Sequence, residues 1–325
     1  MTVISPVAAD SKSIGSLVKK VSLVQVAAVL VAAILIIFGV ITNNFFTLST
    51  FQGILNTSGI IAIVSIGVTF MTLSGNLFTL SASVTVLVLG QAFLEIVHLG
   101  PFPAILIILV MGAIIFGLQG WLVGRLGANV IIITVAAGFL QQGVAEYLSG
   151  SNPSILAPAG ITSYLWMRNT YGGILFSVWA MFGIVILGEL FLRRTVAGRQ
   201  IYLVGENRAA ARTAGINVKR VTIIAFIAAG ICIAFAATLQ AAYTQNVYSQ
   251  GPYTFDAIVA VLIGGTSVLG GKGSLIRTVF GALVVSYLSQ MMIMRGYNPP
   301  TQIFVQGLLL FGVVVVMQLS ERGRN

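Results

Sequence analysis

The chain has 325 residues, of which 58% are hydrophobic and only 7% charged, and its formal net charge is +10. Soluble domains carry about 25% charged residues, so this chain lacks the polar surface to keep a core in water, and a soluble globular domain is excluded. With one cysteine, Cys232, and one histidine, His98, it has no intrachain disulfide and no histidine-based metal site.

The expected fold is all-α: a polytopic membrane helix bundle of about ten transmembrane helices, with N- and C-termini cytoplasmic. Residues 1–20, with Lys12, Lys19 and Lys20, read as a cytoplasmic tail. The apolar run Val21–Ile41 follows. At ~1.5 Å per residue it spans about 30 Å, the thickness of a bilayer core, and it exceeds the roughly 7–15 residues of a signal-peptide core. Further spans are expected at Phe51–Leu73, Leu80–Val97, Ala104–Val123, Val130–Tyr147, Gly173–Leu192, Val221–Tyr243, Phe255–Leu269, Leu275–Met294 and Thr301–Leu319. Residues 21–319 then form a single transmembrane domain, and 320–325 a cytoplasmic C-terminal tail. The eighth span is short and ends in glycines. Gly120 and Gly124 form a GxxxG, a spacing that lets helix backbones approach closely in lipid.

Charge fixes the orientation of this layout. With the N-terminus inside, 15 of the 17 basic residues face the cytoplasm, and only Arg168 and Arg295 fall outside. Lys and Arg resist translocation, so this asymmetry favours an even number of spans. The basic clusters are therefore membrane-orienting charges, and no nucleic-acid partner is implied. Two loops are long. Residues 149–172 lie outside. Residues 193–220 lie inside and hold seven basic residues.

No catalytic or metal-binding set is visible, and no cofactor is expected on this chain. Ionisable residues at membrane depth mark function, yet Glu95, Glu146, Glu189 and Asp256 all fall near helix ends. The nearest approach to a P-loop, Thr266 to Gly273, has Thr where the first Gly is required and Gly where Ser or Thr is required. The inner loop offers a docking element instead. Residues Gly205, Glu206, Asn207, Arg208, Ala209, Ala210, Ala211, Arg212, Thr213 and Gly215 read as a short helix rich in good helix formers and closed by glycine. Polar side chains at depth, Asn56, Ser65, Gln141 and Gln142, are candidates for a translocation pathway, with Asn76 and Phe78 beside them. Bonding between helices is the simpler role for each.

Two stretches carry a resemblance. Gly205, Asn207, Ala210, Ala211, Gly215 and Ile216 fit G-x-N-x-x-A-A-x-x-x-G-I. Asp256, Ala257, Ile258, Ala260, Val261, Gly264, Gly265, Thr266, Ser267, Gly270, Gly271 and Gly273 fit D-A-I-x-A-V-x-x-G-G-T-S-x-x-G-G-x-G. In these motifs the chain resembles the ribose-type permeases of ABC sugar importers. It departs from them at Phe78, where many members carry Asp, and at Val130–Ala136, which keeps Ile132 and Thr134 of P-F-I-x-T-L-G but loses the Pro and Gly.

The resemblance implies a permease subunit of the inner membrane working by alternating access. ATP and Mg would be bound by a separate cytoplasmic ABC ATPase docked on the inner-loop helix. A periplasmic solute-binding protein would deliver a pentose, hexose or derivative. The second permease chain could be identical or different. Asp256 would cap the eighth span, and the paired glycines would break it and allow close packing beneath the coupling helix. A nucleoside or other small polar solute is the alternative cargo, and an ion-coupled secondary carrier the alternative class.

Overall fold

The computed structural model describes residues 47–148, 155–156, 160–247 and 253–322. The expected tail 1–20 and first span Val21–Ile41 lie outside the described residues.

Apolar runs of bilayer length become the principal helices. They are α1 (Leu48–Leu73), α2 (Ala82–Ile96), α3 (Pro101–Leu126), α4 (Val130–Leu148) and α5 (Phe176–Arg194). Two short helices follow, α6 (Val196–Glu206) and α7 (Arg208–Thr213). The chain then forms α8 (Val218–Thr244), α9 (Tyr253–Ile263), α10 (Leu275–Met294) and α11 (Pro299–Arg322). Among the described residues, seven helices are long and apolar enough to cross a membrane, and the apolar segments in α9 and α11 are shorter. The chain is thus an all-α polytopic bundle. Span eight, expected to reach Leu269, ends at Ile263 because Gly264 and Gly265 interrupt it, Gly265 at φ +73°.

Helix α1 is the centre of the bundle. It begins where Thr47 Oγ1 accepts from the Thr50 amide, and the chain turns away at Ser74 and Gly75, the latter at φ +73°. It is apolar on all sides, as a helix surrounded by others should be. It packs on α5, α8, α9 and α10. The outer helices instead expose large apolar side chains, among them Leu106, Ile114 and Leu118 on α3 and Phe182, Ile186 and Leu187 on α5. These faces suit lipid.

The tightest helix pair is α3 with α8. A Cβ on Gly112 would lie 2.6 Å from the Gly230 carbonyl oxygen, and one on Gly230 would overlap Gly112 O. One on Gly120 would lie 2.7 Å from Phe226 Cβ. Small residues thus draw the backbones together where no hydrophobic force between helices exists in lipid. Gly230→Ala is expected to lower stability by about 1–2 kcal/mol. Overpacking costs about 1–3 kcal/mol, offset by up to about 1 kcal/mol of helix propensity. Gly143→Ala in α4, with nothing within 4 Å, should be neutral or slightly stabilising. Thermal unfolding of the purified chain separates the two.

The little β structure described lies between α4 and α5 and just after α8. β1 (Ile155–Leu156) pairs antiparallel with β4 (Asn246–Val247), Ile155 opposite Val247. β2 (Thr170–Tyr171) and β3 (Ile174–Leu175) form a hairpin. Its two turn residues, Gly172 and Gly173, have φ +62° and +80°. Positive φ at both is what a type I′ turn demands. Trp166 packs between Phe102 and Phe176 beside this hairpin.

Candidate functional site

The segment between α5 and α8 is more structured than its composition suggested. Thr195 closes α5 and caps α6, its Oγ1 accepting from Gly198 N at 3.0 Å. Helix α6 then folds back so tightly that a Cβ on Gly198 would overlap the Leu192 backbone. Asn207 leaves the helical region at φ −155° and caps α7, its Oδ1 accepting from the amides of Ala209 and Ala210 at 3.0 Å each. At the far end Ile216 N donates to Ala211 O (2.9 Å) and Gly215 N to Arg212 O (3.0 Å), with Gly215 at φ +79°. This is a Schellman closure, and glycine adopts its left-handed residue without strain.

The expected single helix from Glu206 to Thr213 therefore divides. Glu206 and Gly205 belong to α6, and α7 starts at Arg208. Ala211 faces inward and is buried, while Ala209, Ala210, Arg212 and Thr213 face out.

Beneath α7, three backbone segments meet. Gly205, inside α6, has no room for a Cβ, which would overlap Leu73 O and lie 2.5 Å from Gly271 N. Leu73 O, at the end of α1, accepts from that same Gly271 amide at 3.1 Å. A Cβ on Gly270 would lie 2.6 Å from Gly75 Cα, and one on Gly271 would lie 2.6 Å from Glu206 N. Gly270 and Gly271 have φ +94° and +71°, values that L side chains rarely adopt. The end of α1, the end of α6 and the loop after α9 are thus knit together by main chain.

Side chains extend this knot. Arg208 Nη2 donates to Gly75 O (2.9 Å) and to Asn76 Oδ1 (2.7 Å). Asn76 Nδ2 donates to Ser74 Oγ (2.7 Å), which donates to Met71 O (2.7 Å). A continuous hydrogen-bonded path thus runs from the first residue of α7 into the last turn of α1. Desolvation lowers the Arg208 pKa, and the Arg212 charge lowers it further. On the other side of α6, Tyr202 OH donates to Gly273 O at 3.2 Å. Glu189 pairs with Arg193 (2.6 Å) and accepts from the Leu275 amide (3.3 Å), so that it caps α10 from a neighbouring helix. Burial, and after it the Glu189 charge, raises the Tyr202 pKa.

The other singled-out residues do not converge on one cavity. Asn56 Oδ1 accepts from Ser177 Oγ (2.8 Å) and joins α1 to α5. Ser65 Oγ bonds its own helix at Ile61 O (2.7 Å). Gln141 joins α4 to α2 by accepting from Thr85 Oγ1 (2.8 Å). Gln142 Nε2 donates to Glu146 (2.9 Å). Asn76 sits in the knot described above, and Phe78 packs partly buried against the core. Gly264 closes α9 against α10, where a Cβ would lie 2.8 Å from Arg277 O. Thr266 is buried and its Oγ1 lacks a partner, while Ser267 N donates to Lys272 O (2.8 Å). A Cβ on Gly273 would lie 2.7 Å from Thr266 Oγ1. Asp256 is buried as the fourth residue of α9, one turn inside the helix, and its Oδ1 has no hydrogen-bond partner.

One polar feature escaped the sequence reading. Thr79, Ser81, Ser83 and Thr85 enter α2 in alternation and are all buried. Thr79 Oγ1 lies 3.0 Å from Ser81 Oγ, which donates to Gln119 Oε1 of α3 (3.4 Å). Ser83 Oγ donates to Thr254 Oγ1 of α9 (2.8 Å). Thr134 Oγ1 of α4 accepts from Leu80 N (3.2 Å). Gln119 Nε2 is buried without a partner. The signal was a hydroxyl at every second position, but that period suits a strand and so drew no attention in a helical segment.

Membrane-length helices with apolar outer faces place the molecule among multi-pass membrane proteins. The chain belongs to the permease family described as "Branched-chain amino acid transport system / permease component", whose model matches residues 50–314. It is 28% identical over 307 residues to the ribose import permease protein of Escherichia coli K12, covering 90% of this chain and 92% of that one. It is 31% identical over 284 residues to a probable ABC transporter permease protein of Sinorhizobium fredii, covering 85% and 83%. It is 29% identical over 299 residues to an autoinducer 2 import system permease protein of Yersinia enterocolitica, covering 89% and 81%. No solved structure matches the chain. The chain is therefore a multi-pass permease subunit of the bacterial inner membrane, a transport component rather than a catalyst.

Proposed function

We propose that this chain is the permease half of an ATP-driven importer for a small, uncharged, hydroxyl-rich solute such as a sugar. In this reading α7 is the coupling helix on which a cytoplasmic ATPase, holding ATP and Mg, docks through Ala209, Ala210, Arg212 and Thr213. A periplasmic binding protein delivers the solute to the outer loops. A second permease chain completes the pathway. About ten crossings, both ends in the cytoplasm and a coupling segment at 193–220 complete the topology.

The observation that carries this reading is the main-chain knot. A push on α7 reaches α1, the helix that touches most of the bundle, by two routes: the Arg208 side chain and the main-chain contact of Gly205 with Leu73. Packed interfaces switch between discrete arrangements rather than deform smoothly, so a rigid link at this point suits alternating access.

The buried hydroxyls between Thr79 and Thr85, with Gln119 and Gln141, support a polyol cargo, because they are donors and acceptors without charge. A free amino acid would ask for a counter-charge to its ammonium or carboxylate, and this group has none. The named cargoes of two relatives, ribose and autoinducer 2, agree with this choice.

Ala210→Asp should abolish co-purification of the ATPase and solute uptake together. The position is exposed and capped by Asn207, so the substitution leaves the fold intact. Normal uptake by this variant would remove α7 from the docking surface. The cargo is identified by measuring which solutes the cognate binding protein retains; exclusive retention of a branched-chain amino acid would reverse the choice of substrate class.

A further inference from the structure

A cavity of about 260 Å³ opens between the inner ends of α3 and α8, lined by Arg125, Asn217, Lys219, Arg220 and Ile223. Three of its five lining residues are cationic. Among the described residues none of the three is ion-paired with an acid, since the ion pair found there joins Arg193 to Glu189. The Asn217 side chain accepts from Arg220 N at 3.2 Å and starts α8 here, so the first amides of a 27-residue helix and its positive dipole end add to the field. Close packing shapes the floor: a Cβ on Gly124 would lie 3.1 Å from Lys219 O.

An apolar track leads away from this cavity toward the bundle's mid-height. Ile114, Leu118 and Trp121 are exposed at helical spacing on α3, in line with Arg125. On α8 the partly buried Ile223 and Ile227 continue to the exposed Ile231. The eleven-residue interval from Ile114 to Arg125 rises about 17 Å, close to the depth of one leaflet's hydrocarbon, about 15 Å. A cationic socket above an apolar track of one leaflet's depth matches the two ends of a single amphiphile.

We propose that this cavity binds the phosphodiester headgroup of an anionic phospholipid from the cytoplasmic leaflet, with an acyl chain lying along the α3–α8 track. The proposal rests on the reading that the 193–220 segment faces the cytoplasm. A bound lipid would brace the start of α8 a few residues beyond α7, where movement of the coupling helix enters the bundle.

The test uses the purified full chain in detergent, titrated with phosphatidylglycerol, phosphatidylcholine or inorganic phosphate, with bound lipid counted by native mass spectrometry. Phosphatidylglycerol is expected to be retained selectively. Arg125→Gln and Lys219→Gln should each weaken its binding about fivefold, the worth of one cation near an anionic surface. Arg199→Gln, which removes an exposed charge elsewhere in the same inner region, should leave it unchanged. Arg125→Lys, which keeps the charge, should bind as the unaltered chain does and serves where the neutral variant fails to fold. Equal retention of phosphatidylcholine, equal occupancy by inorganic phosphate, or unchanged affinity in both neutral variants overturns the site. So does loss of ATPase binding in those variants with lipid binding intact, which would assign the cations to the partner protein. Sidedness is read separately. Cys232 is buried, so a Lys219→Cys variant can be labelled selectively. Labelling from the periplasmic side alone would overturn the assignment to the cytoplasmic leaflet and the topology beneath it, whatever the lipid result.

Discussion

Gly205→Ala is expected to destabilise the folded chain by about 3 kcal/mol. The added methyl enters the space between Leu73 O and Gly271 N, which are themselves hydrogen-bonded at 3.1 Å. Overpacking costs up to about 3 kcal/mol, and here every opposing atom is main chain, so no side chain can swing away. Loss of the buried Leu73–Gly271 hydrogen bond adds about 1 kcal/mol. Gly205 is helical, so alanine returns about 1 kcal/mol of propensity, which does not change the sign. Gly183→Ala in α5 is the matched control, with nothing within 4 Å of its added methyl, and there the propensity gain stands alone. The midpoint of thermal unfolding in detergent should fall for Gly205→Ala and hold or rise for Gly183→Ala. If Gly205→Ala melts with the unaltered chain, the three segments are not in backbone contact.

Much of this fold was legible because lipid imposes one simple rule: a buried backbone must satisfy its own hydrogen bonds, so spans are long apolar helices. Leu275–Met294 was placed as it is observed, and the start of α4 at Val130 likewise. Reading failed where length gave no guide. Helix α6 was taken as loop because Arg199 and Gln200 interrupt its apolar residues, although Ile201 and Val204 are buried against the bundle. Strands of two residues carry no period, so the Gly172–Gly173 hairpin was not foreseen. The site was legible as sequence but not as geometry. Gly205, Gly270 and Gly271 were singled out by motif, yet no spacing reveals that residues so far apart in the chain meet Leu73 and Gly75. Asn76, in the junction between two expected spans, was placed beside the pathway candidates. Its partner, Arg208, lies 132 positions away.

That long-range pair leads to the second large effect. Arg208→Ala should separate ATP hydrolysis from transport, with the ATPase still bound. The outward residues Ala209, Ala210, Arg212 and Thr213 are untouched, and Asn207 still caps α7, so the proposed docking surface persists. What is lost is the guanidinium that holds α7 to Gly75 O and Asn76 Oδ1. Hydrogen bonds to charged groups contribute about 1.5–3 kcal/mol, and water reaches this one, which favours the lower figure. At about 1.4 kcal/mol per factor of ten, the solute moved per ATP should fall about tenfold. Arg208→Lys keeps the charge on a shorter side chain without the planar guanidinium, and should fall between the two. Proteoliposomes holding the permease, its ATPase and its binding protein allow uptake and hydrolysis to be measured together. Uptake and hydrolysis falling in parallel would mean that Arg208 supports docking itself. An unchanged ratio with full uptake would mean that force reaches α1 by the Gly205–Leu73 main-chain contact alone, and Arg208 would then be a tether without a part in coupling.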